Sequence, residues 1–143
     1  MRRWTAREAW LRWAGVARGG ALGALARFGV GTALPGGSGF PWGTLVANVT
    51  GAFGLGVLGV LLTERLKARP HWRTFLGIGF LGAYTTFSTM AVEGVMLLSE
   101  GRIPLAVAYW ATTLVLGQMA GVYGMWLGRL RPSRRGGRDE AHG

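Results

Sequence analysis

Cysteine is absent from the 143 residues, and histidine occurs only as His71 and His142. No disulfide or thiolate site can form, and two peripheral imidazoles do not make a metal cage. Acidic groups are scarce too: six Asp and Glu stand against sixteen Lys and Arg, a net charge of +10. In a soluble chain that balance would point to nucleic acid. In this one the charges stay out of the long apolar runs, so the basic groups are matched to anionic lipid headgroups and nucleic acid is not an expected partner. Proline is held to five residues while glycine reaches 26, and half of the chain is hydrophobic. The length allows one domain. Met1-Arg2-Arg3-Trp4 has the charge of a signal peptide, but Arg7, Glu8, Arg12 and Arg18 break any apolar core that would follow it.

What the chain does have is apolar length. Hydropathy predicts four crossings, over about Trp13–Leu34, Trp42–Thr63, Thr74–Ser99 and Pro104–Leu127. Residues 1–12 read as a basic amphipathic helix, with Trp4, Trp10 and Trp13 in the membrane interface. The Pro35–Pro41 stretch is a turn, Glu64–Pro70 a polar connector, and residues 129–143 a basic, disordered tail. Gly117, Gly121, Gly124 and Gly128 mark one smooth face of the fourth crossing, and Gly51, Gly54, Gly56 and Gly59 smooth the second. Lipid tails give helices no hydrophobic reason to associate, so small residues that let backbones approach do that work and predict an oligomer.

Orientation follows from the basic residues. Arg2, Arg3, Arg7, Arg12 and Arg18 lie on the side of the N-terminus. Arg65, Lys67, Arg69 and Arg73 lie between the second and third crossings, and Arg129, Arg131, Arg134, Arg135 and Arg138 follow the fourth crossing. These fourteen share one side, Arg102 is alone on the other, and Arg27 lies within a crossing. The positive-inside rule then puts both termini in the cytoplasm of a multi-pass cell-membrane protein.

The third crossing is the exception among the four. Gly82-Ala83-Tyr84-Thr85-Thr86-Phe87-Ser88-Thr89-Met90 sits at its centre, between Arg73 and Glu93. Polar side chains at that depth are costly unless they face protein or a water-filled path. The stretch therefore reads either as a broken helix lining an ion path or as hydroxyls bonded back onto helix carbonyls.

Three motifs, one per crossing and in order, resemble the Fluc (CrcB) family of fluoride channels. Gly19-Gly20-Ala21-Leu22-Gly23-Ala24-Leu25-Ala26-Arg27 resembles its GGxxGAxxR, Gly43–Gly54 its GTLxxNxxGxFxxG, and Gly79–Met90 its GxxGxxTTFSTF. The resemblance covers about residues 15–128, so that 13–128 is the expected channel domain. It implies an all-α membrane protein with four transmembrane helices, the third broken mid-membrane, and an antiparallel, dual-topology dimer with two pores. By the resemblance, Phe87 is a ring whose edge faces fluoride and Asn48 is an amide donor to it. Thr44, Tyr109 and Thr113 fall on a polar track facing the rings, and Arg27 raises the potential of a vestibule. Gly82 and Thr85 hold a structural sodium ion on the twofold axis through backbone carbonyls. Thr86, Ser88, Thr89 and Met90 complete the expected fluoride pathway.

The residue chemistry is compatible with that assignment. Neutral amide and hydroxyl donors, and the positive rim of an aromatic ring, hold a small hard anion without trapping it. Glu93, about one turn beyond Phe87, is read as capping or pairing near a vestibule. Arg27 has the alternative of snorkelling to the interface or to carbonyls of the broken helix. Met90 departs from the family's second phenylalanine. The charge bias departs from dual topology, and it leads to a second expectation: pairing with an oppositely biased homologue instead of with itself. Two other readings compete, a proton-coupled exporter of cationic drugs and a non-conducting membrane scaffold. The first needs a membrane carboxylate, and the second leaves the ordered hydroxyls unexplained.

Overall fold

The computed structural model describes residues 5–36, 39–65 and 70–130. The expectations for residues 1–4 and for the tail beyond Leu130 lie outside the described residues. Every regular element among those described is helical. Helix α1 spans Ala6–Ala33 and α2 spans Trp42–Val60, continued by a π-helical turn over Leu61–Arg65. The third stretch is built in pieces: α3 over Pro70–Arg73, a π-helical segment over Thr74–Leu81, α4 over Gly82–Tyr84 and α5 over Phe87–Ser99. Helix α6 spans Ile103–Leu130. Among the described residues, three helical stretches are long and apolar enough to cross a membrane: Trp42–Glu64, Thr74–Ser99 and Ile103–Leu130.

The start of α1 is fixed by local chemistry. The Thr5 side chain accepts from the Glu8 amide, and the Glu8 carboxylate accepts from the Thr5 amide at 3.0 Å, a reciprocal capping box. One uninterrupted helix therefore runs from Ala6 through the region expected to be a separate amphipathic segment. At about 1.5 Å per residue it is about 42 Å long.

Two close helix pairs organise the molecule. α2 packs along α6, and α1 packs along the π-helical segment and α4. Both pairs use glycine to bring backbones together. A Cβ on Gly56 would meet the Gly121 carbonyl and lie 2.8 Å from the Met125 amide nitrogen, and one on Gly124 would meet the Phe53 carbonyl. In the other pair, a Cβ on Gly19 or Gly23 would meet the Phe75 or Phe80 carbonyl, whereas one on Gly20 would meet nothing. Beyond the break α5 leaves α1 and packs on α6 instead. The turn between them closes with Gly101 at φ 74°, and Arg129 reaches Glu64 at 3.4 Å to tie the far ends of α2 and α6. The core of this half is Leu45, Met90, Leu97, Ala106 and Tyr109.

This packing predicts opposite outcomes for two glycines on one helix. Gly56→Val should destabilise the solubilised protein by about 1–3 kcal/mol through overpacking, while Gly59→Val, which meets open space, should change little. Thermal unfolding in detergent measures both, and equal effects would mean that the α2–α6 approach is not as close as described.

Candidate functional site

The break in the third helix is two residues wide. Thr85 lies at φ −82°, ψ 153° and Thr86 at φ −149°, ψ 125°, both extended, between the helical α4 and α5. An interrupted helix orphans the amides that would have bonded backwards and the carbonyls that would have bonded forwards. The chain supplies replacements. The Thr86 amide donates to Asn48 Oδ1 at 2.7 Å, and Asn48 Nδ2 donates back to the Thr86 carbonyl at 2.9 Å. One side chain of α2 thus satisfies both backbone groups of the residue at the break. The Thr86 hydroxyl caps α5 by accepting from the Thr89 amide at 3.1 Å, and the Thr85 hydroxyl donates to the Leu81 carbonyl at 3.0 Å.

Helix α1 joins the same network. Arg27 Nη1 donates to Thr89 Oγ1 at 3.1 Å, and Thr89 Oγ1 also takes a bond from the Thr86 hydroxyl at 3.0 Å. Ser88 lies 3.3 Å from the Thr86 hydroxyl on the exposed side. Arg27 Nε is buried and has no partner. The structure puts the Arg27 guanidinium on a hydroxyl of α5, next to the break.

A second cluster lies one turn along α5. Glu93 Oε1 accepts from the Thr44 hydroxyl at 2.9 Å, and Oε2 accepts from the Tyr109 hydroxyl at 2.7 Å. Tyr109 is fully buried, and its own carbonyl accepts from Thr113 Oγ1 at 2.7 Å. The carboxylate expected to pair near a vestibule is therefore held by α2 on one oxygen and α6 on the other. Two adjoining cavities of ≈ 270 and ≈ 300 Å³ share Gly31, Gly43, Thr44 and Glu93. The first opens at the α1–α2 turn beside Phe40 and Pro41, and the second reaches Arg27 and Thr89. Together they make an approach from that turn toward the break, with Thr44, Glu93, Arg27 and Thr89 among its polar groups.

The chain matches the family model described as CrcB-like protein, Camphor Resistance (CrcB), over residues 14–125. It belongs to the CrcB family. CrcB relatives named "Fluoride-specific ion channel FluC" include one from Solibacter usitatus, 43% identical over 116 residues that make up 80% of this chain and 95% of the relative. One from Saccharophagus degradans is 46% identical over 105 residues, 73% of this chain and 79% of the relative. A "Fluoride-specific ion channel FluC 2" from Symbiobacterium thermophilum is 46% identical over 120 residues, 81% and 93% of the two chains.

The CrcB motif residues fall into three groups. Asn48, Thr86, Ser88, Thr89 and Arg27 meet at the break. Thr44 and Tyr109 meet at Glu93, with Thr113 bonded one turn further along α6. Phe87 and Met90 part company, although only one helical turn separates them. The Phe87 ring is 74% exposed, and Met90 is 4% exposed in the core between Leu45 and Tyr109. Trp110 crosses behind Met90, donating Nε1–H to its carbonyl at 3.1 Å, and its indole occupies the space that a Cβ on Gly94 would need. Two contacts of this region were not foreseen in the sequence: the Thr50–Tyr84 hydroxyl pair at 3.0 Å and the role of Glu93 as a junction of three helices. A lone acid inside an apolar run signals the second, because a buried carboxylate needs donors. Nothing in the sequence pattern signals the first.

Removing the side chain that braces the break isolates its worth. Asn48→Ala leaves a half-buried amide and carbonyl unpaired and should cost about 1 kcal/mol. The unfolding midpoint of the detergent-solubilised protein measures this, and an unshifted midpoint would mean that the Thr86 backbone finds other partners.

Proposed function

We propose that this chain is a subunit of a fluoride-specific channel that lets fluoride leave the cytoplasm down its electrochemical gradient, and is not an enzyme. Its CrcB relatives carry that activity in their names. The single observation that supports the reading beside them is the composition of the break. Neutral donors and one exposed ring, Thr86, Ser88 and Phe87, gather where the helix opens, and the nearest carboxylate has both oxygens bonded by hydroxyls.

Fluoride gives up its water only where fixed donors replace it, and neutral donors release it again. Asn48 spends one of its two amide N–H bonds on the Thr86 carbonyl, which leaves the other to meet an ion. Phe87 presents a ring rim, the positive part of its quadrupole. Arg27 puts positive charge at the head of the ≈ 300 Å³ cavity, which concentrates anions at the approach. Met90 contributes bulk behind the path, and Thr44, Tyr109 and Thr113 fix Glu93 and the wall of α6.

In this reading α1 is a fourth membrane crossing, both termini are cytoplasmic, and a second subunit lies inverted against the first. The polar surface around Thr86 and Ser88 supports that partner, since lipid does not tolerate exposed backbone and hydroxyls at this depth. A sodium ion on the axis between subunits fits the carbonyls. The Thr86 amide that would have bonded the Gly82 carbonyl in a continuous helix goes to Asn48 instead. Gly82 and Thr85 would offer that ion uncharged, hard oxygen ligands, which suits a group-one cation. The fourteen-to-one distribution of basic residues favours pairing with an oppositely biased homologue.

Two measurements test the reading. The protein purified from native membranes together with any partner subunit, placed in liposomes and followed with a fluoride electrode, should release fluoride but not chloride without a proton gradient. Phe87→Ile should reduce that release to the rate of protein-free vesicles while the complex still assembles. Equal fluoride and chloride leakage would reject the channel. Separately, labelling of the termini in native membranes should find the chain expressed alone in one orientation, and an even mixture would reject the heteromeric pairing.

A further inference from the structure

We propose that a groove between the first turns of α1 and the start of the third helical stretch holds one anionic phospholipid. The groove is a cavity of ≈ 340 Å³ lined by Leu11, Ala14, Gly15, Trp72 and Phe75, with Arg18 as its one charged group. Trp72 and Phe75 form one wall, edge to face at 6.1 Å. Its depth is set by the backbone contact between Gly19 and the Phe75 carbonyl. That contact lies one residue from where the apolar span Thr74–Ser99 begins, so Arg18 stands at the boundary between hydrocarbon and headgroups. An arginine on a helix leans toward the helix N-terminus, which here is the headgroup side.

The charges lack counterions. Arg18 and Arg73 are both exposed, and neither makes a hydrogen bond or ion pair among the described residues. The acid nearest in sequence on α1, Glu8, is engaged in capping at Thr5. An apolar slot with the unpaired Arg18 guanidinium in its lining, and a second unpaired arginine on the residue after Trp72, complements a molecule that is apolar at one end and carries a phosphodiester at the other. A zwitterionic headgroup would bring an ammonium toward those cations, so the charge selects an anionic lipid. None of these residues belongs to the break network, and the inference needs only that the protein sits in a membrane.

Native mass spectrometry of the full-length protein in detergent, titrated with phosphatidylglycerol or phosphatidylcholine, tests this. The unmodified protein should retain phosphatidylglycerol in preference to phosphatidylcholine. Arg18→Gln should weaken phosphatidylglycerol retention about tenfold, as expected for a lost charge-assisted contact, and Ala14→Phe, which fills the slot, should weaken both lipids. Equal retention of the two lipids, no effect of Arg18→Gln, or displacement of phosphatidylglycerol by inorganic phosphate would overturn the proposal. A change of oligomeric mass on Ala14→Phe would assign the groove to a subunit contact and overturn it as well. Fluoride release by Arg18→Gln in phosphatidylcholine vesicles should match the unmodified protein. A protein that retains lipid but passes no fluoride would count against the channel and leave the lipid site standing.

Discussion

A backbone that stops being helical halfway along an apolar span strands amides and carbonyls where no water can reach them. Every unusual feature of this chain is arranged around that problem at Thr85 and Thr86. Asn48 answers it from α2 by giving and taking one hydrogen bond at the same residue. The Thr86 hydroxyl restarts the helix by capping it, and Arg27 reaches from α1 to the hydroxyl of Thr89. Because Asn48 and Arg27 reach in from two other helices, the opening is a property of the tertiary structure as well as of the local cap. No local sequence preference alone would hold it against the pull of an uninterrupted helix.

The break has a geometric use beyond exposing polar groups. It allows one stretch of chain to change neighbours, packing on α1 before the opening and on α6 after it. The first contact is backbone-close because Gly19 and Gly23 line it, and α6 is held against α2 in the same way at Gly56 and Gly124. Close packing brings Thr44, Glu93 and Tyr109, from three helices, within hydrogen-bond reach. The carboxylate that would otherwise be an uncompensated charge becomes the point where α2, α5 and α6 are joined. Its negative charge is thereby kept beside the route from the α1–α2 turn and does not stand open at the break.

The sequence disclosed the kinds of groups more readily than their pairings. A run of hydroxyls inside an apolar span announces an interruption, because polarity at that depth needs a reason. That Asn48 would turn to a backbone 38 residues away is set by how α2 lies against the third stretch, which hydropathy does not encode. Phe87 and Met90 share a motif and a helix turn, yet the edge of the core passes between them, and only the position of α6 decides where that edge falls. The start of α1 illustrates a different limit. Apolar length alone begins a helix at Trp13, while the Thr5–Glu8 pair, a hydrogen-bonding signal and not a hydrophobic one, begins it two turns earlier.

The change of neighbours also orders the chain in time. Synthesis runs from the N-terminus, so α1 and α2 already exist when the third stretch leaves the ribosome, and its first half can dock at once with Asn48 waiting at its end. α5 emerges before α6 has been made. Until then Met90, Leu97 and the indole-sized space over Gly94 have nothing to cover them, and Glu93 lacks the phenol that will bind one of its oxygens. The opening at Thr85 and Thr86 therefore separates a half whose packing partner precedes it in the chain from a half whose partner follows it.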